Sequence, residues 1–368
     1  MVDDIDDDAV AEPTKRIPLP QDMQALLLVG IFVLLILYTL YFAAEIVLPI
    51  LFAFVLSLLL QPSMRILTGL QLPRPVAALT IIVLLCGGVG ILGFALSAPV
   101  TVWIAKAPEG LPRIEQRLRI FKQPIQEMQA ATTKVEQMAA GPVPPVATVA
   151  VARPTLSGLL FSGTRVFLAG VITTIVLLFF LLVTGDMFLR RLVEIMPTLS
   201  NKKQAVDISR EIQSNISGYL VTVSLMNLGV GVATGIAAYL CGLADPILWG
   251  TVAFFLNYVP IIGPLSGIGI LFVAGLLTFD GLWRAVLPAA IYLLIHVIEG
   301  EVITPMLLAR RFTLNPVLVI VSLVFWYWMW GVAGAFLAVP MLATAKIVCD
   351  RIRPLMALGH FIGVGPQG

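Results

Sequence analysis

Charged residues are scarce in this chain of 368 residues: Asp, Glu, Lys and Arg make up only 12% of it, whereas 59% is hydrophobic. A typical soluble domain carries about 25% charged residues, and such residues supply most of a water-exposed surface. The mean hydropathy is +0.99, so the surplus apolar surface must face lipid. The composition therefore excludes a soluble protein and predicts an all-α polytopic membrane protein.

Histidine and cysteine are also rare, with two and three residues. The cysteines lie in apolar runs without a CxxC or Cys/His spacing, so we interpret them as small core residues and predict no metal site. The formal net charge is only +2, which is not the basic footprint of a nucleic-acid-binding protein. The sequence predicts neither a cofactor nor a nucleic-acid partner.

Enzyme motifs are missing as well. No G-x-x-x-x-G-K-[ST] loop occurs, so ATP does not drive the protein directly. Ser266 in the run GPLSG superficially resembles the nucleophile of an intramembrane serine protease, but Pro264 stands where such enzymes carry glycine. An aspartyl protease needs paired aspartates within apolar segments, whereas Asp245 and Asp280 lie at segment ends. The sequence therefore predicts a protein that is not an enzyme.

Long apolar stretches dominate what is present. A membrane-spanning helix needs about 20 residues, and the candidates are 24–43, 46–61, 76–98, 165–184, 219–240 and 284–304. Two further stretches, 246–279 and 316–349, hold 34 residues each. As straight helices these two would reach about 51 Å, well beyond a hydrocarbon core of about 30 Å.

Both of these longer stretches are interrupted near the middle. The first holds the run NYVPIIGP at 257–264, and the second holds WGVAG at 330–334. Proline removes a backbone donor and glycine lowers helix propensity, so each run predicts a reversal of the chain. We therefore predict about six spanning helices plus two re-entrant, broken helical hairpins. Eight spanning helices are the alternative.

The distribution of basic residues favours the hairpins, because Lys and Arg in short loops favour the cytoplasm. With a cytoplasmic N-terminus, two hairpins keep Arg310 and Arg311 inside, whereas a full crossing by 246–279 would leave them outside. Both termini are then cytoplasmic. The halves 219–279 and 284–349 share one plan, a spanning helix followed by a broken stretch. That plan predicts an inverted repeat whose breaks meet near the midplane around a substrate site.

Four motifs in order resemble the AI-2E family of transporters, named for the export of autoinducer-2. They are NYVPIIGP at 257–264, IEGEVITP at 298–305, Asn315-Pro316, and Gly331-x-x-Gly334-x-x-x-Ala338-Val-Pro340; the N-terminal segments 49–62 and 72–77 fit the same pattern. The similarity covers roughly residues 26–352. One departure is Glu301, where the family often has Asn, so the coupling chemistry here can differ.

The resemblance implies a bacterial inner-membrane exporter or antiporter that assembles as a homo-oligomer. Similar proteins are linked to the export of small hydrophilic molecules and to Na⁺/H⁺ exchange. We therefore expect a secondary active transporter that exports a small polar, autoinducer-2-like solute or exchanges Na⁺ for H⁺ across the lipid bilayer. A passive pore or a membrane scaffold without ion coupling is the alternative.

On this interpretation the chain divides into six segments. They are a disordered acidic tail (1–23), N-terminal transmembrane helices (24–98), an extracytoplasmic helical segment with a Pro-rich linker (99–160), a transmembrane helix with a cytoplasmic helix (161–218), a transport core with broken helices (219–353) and a C-terminal tail (354–368). A heptad-like apolar stripe within 103–138 predicts a helix. Pro112 is suited to the start of this helix, and Pro124 is expected to kink it. That helix packs on its own protein or on another subunit.

The candidate substrate-binding residues lie at the two breaks. They are Asn257, Tyr258, Pro260, Gly263, Pro264, Gly331 and Gly334. The Asn257 amide can donate and accept hydrogen bonds, and irregular backbone at membrane depth is tolerated only inside protein or beside water. The alternative is that Pro260, Gly263 and Pro264 merely shape the turn.

The candidate ion-coupling residues are Glu299, Glu301 and His296. Glu299 lies among apolar neighbours, where a carboxylate is costly unless it faces protein, water or a cation. His296 is three residues earlier on the same helical face, so the two side chains can meet and relay a proton. Alternatively, one of the glutamates pairs with Arg310 or Arg311 as a structural clamp.

Two further patterns have competing interpretations. Gly231 and Gly235 form a GxxxG motif with Asn227 one turn earlier, which favours close helix packing and an interhelical hydrogen bond; the alternative is that Asn227 faces a substrate path. The aromatic run 325–330 is unusual at mid-membrane depth, so it lies near an interface or lines a wet cavity.

Overall fold

A computed structural model describes residues 23–137, 156–185, 187–195, 198–308, 314–352 and 355–363. Helices make up nearly all of this described part, and strand-like pairing within it is limited to one bridge between Leu314 and Gly363. The predicted all-α class is therefore confirmed. The predicted disordered tail, the Pro-rich linker, Arg310 with Arg311 and the end of the C-terminal tail lie outside the described residues.

The helices of the N-terminal half include four long ones. They are α1 (Met23–Phe42), α2 (Ala44–Gly69), α3 (Arg74–Gln137), α4 (Leu156–Thr184), α5 (Met187–Ile195) and α6 (Leu199–Glu211). The C-terminal half follows after a π-helical turn, Ile212–Ile216. It consists of α7 (Ser217–Cys241), α8 (Pro246–Leu256), α9 (Ile262–Thr278), α10 (Leu282–Ile298), a second π-helical turn (Glu299–Ile303), α11 (Thr304–Leu308), α12 (Pro316–Arg351) and α13 (Met356–Ile362).

Six of the described helical stretches are long and apolar enough to cross a membrane. They are Ala44–Gly69, Arg74–Lys106, Val166–Thr184, Lys202–Cys241, Leu282–Ile303 and Pro316–Arg351. The first five coincide with predicted spans, and the sixth is the stretch predicted as a broken hairpin. The predicted span 24–43 corresponds to α1, whose apolar part Leu27–Phe42 is shorter. The protein is thus a multi-pass membrane protein.

The third helix is longer than the sequence pattern predicts. It runs without interruption for 64 residues, or about 96 Å, through both Pro112 and Pro124. Each proline removes one backbone hydrogen bond, but a propagating helix gains a bond for every residue whereas a new nucleus is costly. The prediction of a separate helix start at Pro112 is therefore wrong. The side chains from 107 to 137, which would test the heptad-like contact, lie outside the described part.

Three of the buried clusters set how most of these helices pack. One lies among α2, α3 and α4, and another joins α7, α8, α9 and α10. The third brings Leu58 of α2 against Leu220 of α7 and Ile347 of α12. Because α2 takes part in the first and third clusters, it connects the N-terminal helices to the C-terminal half.

The first broken stretch reverses direction between α8 and α9. These helices have 11 and 17 residues, or about 17 and 26 Å, so each is shorter than the hydrocarbon core of about 30 Å. Ile261 has a φ of +66°, and Gly263 lies so close to the Leu256 carbonyl that no side chain fits. Trp249 of α8 and Ala274 of α9 line one groove, which shows that the two helices fold back on each other.

The second broken stretch reverses inside α12. Helical geometry fails at Trp330 (φ −134°, ψ 16°) and at Gly331 (φ 61°, ψ −141°). Ser322 Oγ donates a hydrogen bond to the Ala338 carbonyl over 3.1 Å, although 16 residues of straight helix would separate them by about 24 Å. Both breaks therefore occur within the runs 257–264 and 330–334, as predicted. Their depth in a bilayer stays a prediction.

Candidate functional site

The two breaks meet each other. Val259 of the first break packs in one buried cluster with Leu323 and Ala335 of α12. The rings of Tyr258 and Phe336 lie 5.8 Å apart at 30°. We call this region, residues 257–263 and 329–338, the tip junction. Its formation agrees with the predicted inverted repeat, in which broken segments approach each other.

The first break is also tied to α7 by two side-chain hydrogen bonds. The Asn257 amide nitrogen donates to Asn227 Oδ1 over 2.9 Å, and the Tyr258 hydroxyl donates to Ser224 Oγ over 2.7 Å. Ser224 and Asn227 are three residues apart, so they lie on one face of α7. The predicted interhelical hydrogen bond of Asn227 is confirmed.

Asn227 keeps one polar group unused. Its side chain is only 2% exposed, and its Nδ2 has no hydrogen-bond partner among the residues described. Exchanging the nitrogen and oxygen of both amides would leave the oxygen unpaired instead, since only one bond joins them. A buried polar atom without a partner is costly, so it marks a position where a polar guest gains a hydrogen bond.

After Asn227 along α7, glycines bring the backbones of α7 and α8 into contact. A Cβ placed on Gly231 would lie 2.8 Å from the Gly250 carbonyl oxygen, and one on Gly250 would lie 2.7 Å from the Gly231 carbonyl oxygen. Gly235 faces the Pro246 carbonyl in the same way, at 3.3 Å. The GxxxG motif therefore serves close helix packing, as predicted.

The sequence-predicted substrate residues gather at the tip junction, and their local roles differ. Gly263 and Gly334 lie against the carbonyls of Leu256 and Trp326, where a Cβ has no room, so both shape their turns. Gly331 has open space around it but a φ of +61°, a conformation that favours glycine. Pro260 lies in the turn itself and Pro264 in the first turn of α9. Their roles in binding stay predictions.

The predicted ion-coupling pair is a second cluster, beside α7. His296 Nδ1 lies 3.8 Å from Glu299 Oε2, and their side chains are 8% and 17% exposed. The Thr304 hydroxyl donates to Glu299 Oε1 over 2.7 Å. Glu299 opens the π-helical turn Glu299–Ile303, and such turns are frequent at functional sites because they redirect side chains.

Glu301 lies apart from this pair. It is exposed, while the contacts of Glu299 are with His296 and Thr304. The alternative clamp to Arg310 or Arg311 involves residues outside the described part. The structure therefore brings together two of the three predicted coupling residues.

The buried indole N–H of Trp330 finds its hydrogen-bond partner within the protein, so the aromatic run needs no water-filled cavity for it. Trp330 Nε1 donates to the Leu40 carbonyl of α1 over 3.1 Å, and its ring packs 4.7 Å from that of Trp326. Trp328, by contrast, is 71% exposed and faces Tyr41 of α1 at 6.2 Å. The run thus joins the second break to the first helix.

Sequence reasoning missed Tyr292 of α10. This side chain is 1% exposed, its ring contacts that of His296 at 4.4 Å, and its hydroxyl has no hydrogen-bond partner in the described part of the chain. Its spacing of four residues from His296 was the available signal, but an aromatic residue in an apolar helix is ordinarily core.

Comparison with known proteins places this arrangement in a family. The model of the AI-2E family transporters matches residues 31–354. The chain is 25% identical to the AI-2 transport protein TqsA of Escherichia coli (strain K12) over 336 residues, 89% of this chain and 92% of that protein. It is 29% identical to YhhT of the same organism over 150 residues, 41% of this chain but only 43% of YhhT. YueF of Bacillus subtilis (strain 168) is 23% identical over 330 residues, 86% of this chain and 87% of YueF. The chain belongs to the AI-2E family of transporters.

Proposed function

We propose that this protein is a secondary active transporter that exports a small polar solute of the autoinducer-2 class in exchange for H⁺ or Na⁺. The similarity to TqsA, an AI-2 transport protein, supports the solute class. The tip junction supports a binding site, because irregular backbone and polar side chains occur together there between apolar helices.

The observation that carries the proposal is the amide nitrogen of Asn227, whose oxygen is already bonded to Asn257. This buried nitrogen, which has no partner among the described residues, would donate a hydrogen bond to a hydroxyl or carbonyl oxygen of the solute. Asn257 holds Asn227 in place from the first break. A solute that binds here touches α7 and the broken stretch together, so its binding would favour one arrangement of the two.

Ion coupling is proposed at His296 and Glu299. A scaffold or passive pore needs no buried ionisable pair, whereas a carboxylate inside an apolar helix is costly to keep. The largely buried Glu299 side chain beside His296 therefore favours a coupled transporter over a scaffold or a passive pore.

The proposed setting is the bacterial inner membrane, with both termini in the cytoplasm and the two broken stretches re-entrant. In the first broken stretch, both legs are shorter than the hydrocarbon core, which supports the re-entrant arrangement there. We further propose a homo-oligomer, in line with the family resemblance.

The solute site is tested by counterflow of autoinducer-2 in proteoliposomes at equal pH on both sides. Asn227→Ala should lower exchange by about tenfold, because a hydrogen bond to the solute is lost. Ser224→Ala is the matched control, since it removes the neighbouring tie between the same break and α7. Equal losses in both variants, with normal assembly, would mean that Asn227 only holds the break in place.

The coupling site is tested with Glu299→Gln, which keeps the side-chain size and removes its charge. Gradient-driven export should fall to the level of equal-pH exchange, while counterflow continues. Glu301→Gln is the matched control, since Glu301 is exposed and two residues away. Gradient-driven export that survives in Glu299→Gln contradicts the coupling role.

A further inference from the structure

Two buried polar atoms on one face of α10 have no hydrogen-bond partner among the described residues. They are the Tyr292 hydroxyl and His296 Nε2. Tyr292 is 1% exposed, and the His296 side chain is 8% exposed. Polar atoms in such positions are ordinarily paired, so two on adjacent turns indicate a site for a hydrogen-bonding guest.

The surroundings hold the two groups in place. Their rings pack edge to face, with centroids 4.4 Å apart. Gly267 of α9 lies against the Tyr292 hydroxyl, where a Cβ would come within 2.6 Å of the ring carbons. The absence of a side chain at Gly267 therefore lets the hydroxyl reach α9. The cluster extends from Glu299 through His296 to Tyr292 and the second leg of the first break.

The two imidazole nitrogens have different partners. Nδ1 faces the Glu299 carboxylate, which only accepts hydrogen bonds when ionised, so Nδ1 carries the hydrogen. Nε2 is then an acceptor in neutral His296, and it is the atom that can take up a proton. The carboxylate of Glu299 balances the charge of the imidazolium that results.

The same atoms are poor ligands for Na⁺. A hard cation requires several oxygen ligands, whereas this face offers an imidazole nitrogen, one phenolic oxygen and a carboxylate already bonded to Thr304. In the described part of the chain no group of three His, Cys, Asp or Glu residues could hold a metal ion. Of the neighbouring helices, α8, α9 and α11 carry no ionisable residue, and α7 carries Tyr219, Tyr239 and Cys241. Glu301 is exposed.

We infer that the coupling ion is the proton, taken up at Nε2 of His296, and that Tyr292 is the positioning residue for its delivery. The inference rests on the proposed function, whose coupling ion it specifies. A hydronium ion held by the Tyr292 hydroxyl gives one proton to Nε2: an O–H bond of the hydronium breaks, an N–H bond forms, and the water that results stays bonded to the hydroxyl. Release follows the same steps in reverse.

The test uses the full chain in proteoliposomes loaded with autoinducer-2. Efflux into an acidified medium is compared with efflux into a medium of equal pH and higher Na⁺. A trapped pH-sensitive dye reports proton entry. The variants are Tyr292→Phe, which removes only the hydroxyl, and His296→Gln, which removes the imidazole ring. Tyr239→Phe is the matched control, because Tyr239 is 72% exposed on α7.

Acidification should accelerate efflux from the wild-type protein and Na⁺ should not. Tyr292→Phe should reduce the acid-driven part and the proton entry by about tenfold, as expected for losing one hydrogen bond to a charged species. Tyr239→Phe should match the wild type throughout, equal-pH counterflow included. His296→Gln should lose the acid-driven part, which keeps the test decisive if Tyr292→Phe does not assemble.

Each failure has its own meaning. Efflux driven by Na⁺ instead of acid, or acid-driven efflux retained in Tyr292→Phe, overturns this inference while the transporter stands. Absence of counterflow in the wild-type protein contradicts the proposed solute. Acid-driven efflux that survives in Glu299→Gln contradicts the coupling site itself.

Discussion

The contact between α7 and α8 depends on single glycines whose backbones touch. Gly250→Ala would place a methyl group 2.7 Å from the Gly231 carbonyl oxygen, which is backbone and cannot rotate away. We expect this variant to lower the free energy of unfolding by about 1–3 kcal/mol. The midpoint of thermal unfolding in detergent, followed by tryptophan fluorescence, measures the change.

Gly229→Ala is the control for this substitution. Gly229 lies on the same helix as Gly231, but a Cβ there meets nothing within 4 Å. Alanine should therefore leave stability unchanged or raise it by up to about 1 kcal/mol through helix propensity. If the thermal midpoint of Gly250→Ala were as high as that of Gly229→Ala, α7 and α8 could move apart without loss of stability, which would contradict the prediction.

Single residues also show how far the site could be predicted from sequence. Asn257 was predicted because it is a polar residue that interrupts an apolar run close to a proline. Glu299 and His296 were predicted because ionisable residues are rare in apolar segments. The meeting of Asn257 with Asn227 was not predictable, since 30 residues separate them and only the fold sets that distance. Tyr292 was missed because an unpaired hydroxyl is a property of the packed structure and not of the residue type.

For the broken elements, the decisive question is on which side of the membrane their ends lie. Ala244 and Gly281 flank the first broken stretch and are both exposed. If that stretch re-enters, a cysteine at either position should react with an impermeant thiol reagent from the outside. Each cysteine is introduced into a variant in which Cys86, Cys241 and Cys349 have been replaced. The measurement is the extent of labelling in intact cells.

Gly69→Cys provides the opposite-side control for this labelling. Gly69 ends α2, a Cβ there meets nothing within 4 Å, and the proposed topology puts it in the cytoplasm. It should react only after the cells are opened. Reaction of Ala244→Cys and Gly281→Cys from opposite sides would restore the arrangement with eight spanning helices.

The element boundaries were predictable where local chemistry decides them. Proline and glycine mark the break at 257–264 and glycine marks the one at 330–334, because both residues weaken a helix whatever surrounds it. The π-helical turn at Glu299–Ile303 was not predictable, since one extra residue in a turn carries no propensity signal and depends on the packing around it. The continuous course of α3 also escaped prediction, because the cost of a proline competes with helix propagation.

Across the whole molecule, one ion pair fastens the end of α12 to the segment before α7. Arg351 Nε donates a hydrogen bond to Glu211 Oε2 over 2.8 Å, and Nη2 lies 2.6 Å from the same oxygen. Arg351→Lys keeps the charge but loses the guanidinium fork. We expect a loss in the free energy of unfolding of less than about 1 kcal/mol, because both groups are partly exposed. The loss should vanish near about 1 M salt, where screening is strong.

Arg191→Lys is the comparison for this ion pair. Arg191 and Glu194 lie 3.9 Å apart with side chains 78% and 68% exposed, so their pairing contributes little. Thermal midpoints of both variants at low and high salt provide the measurement. Identical midpoints for the two variants at low salt would mean that the bond to Glu211 does not fasten α12.

For the whole molecule, the sequence predicted the structural class but not how the helices pack against one another. Hydropathy alone places the helices in a membrane, because each long apolar stretch needs lipid or protein around it. The approach of the two breaks, through Val259 and Ala335, depends on how helices from both halves cross, and no local pattern encodes a crossing.

The bond from the Trp330 indole to the Leu40 carbonyl joins groups 290 residues apart along the chain. Ribosomes add about 5–20 residues per second, so about 15–60 s separate the synthesis of the two partners. During that interval α1 is already made while the segment that holds its carboxyl end does not yet exist. This bond of α1 therefore waits for a segment that is made much later, and translation sets the earliest time at which it can form.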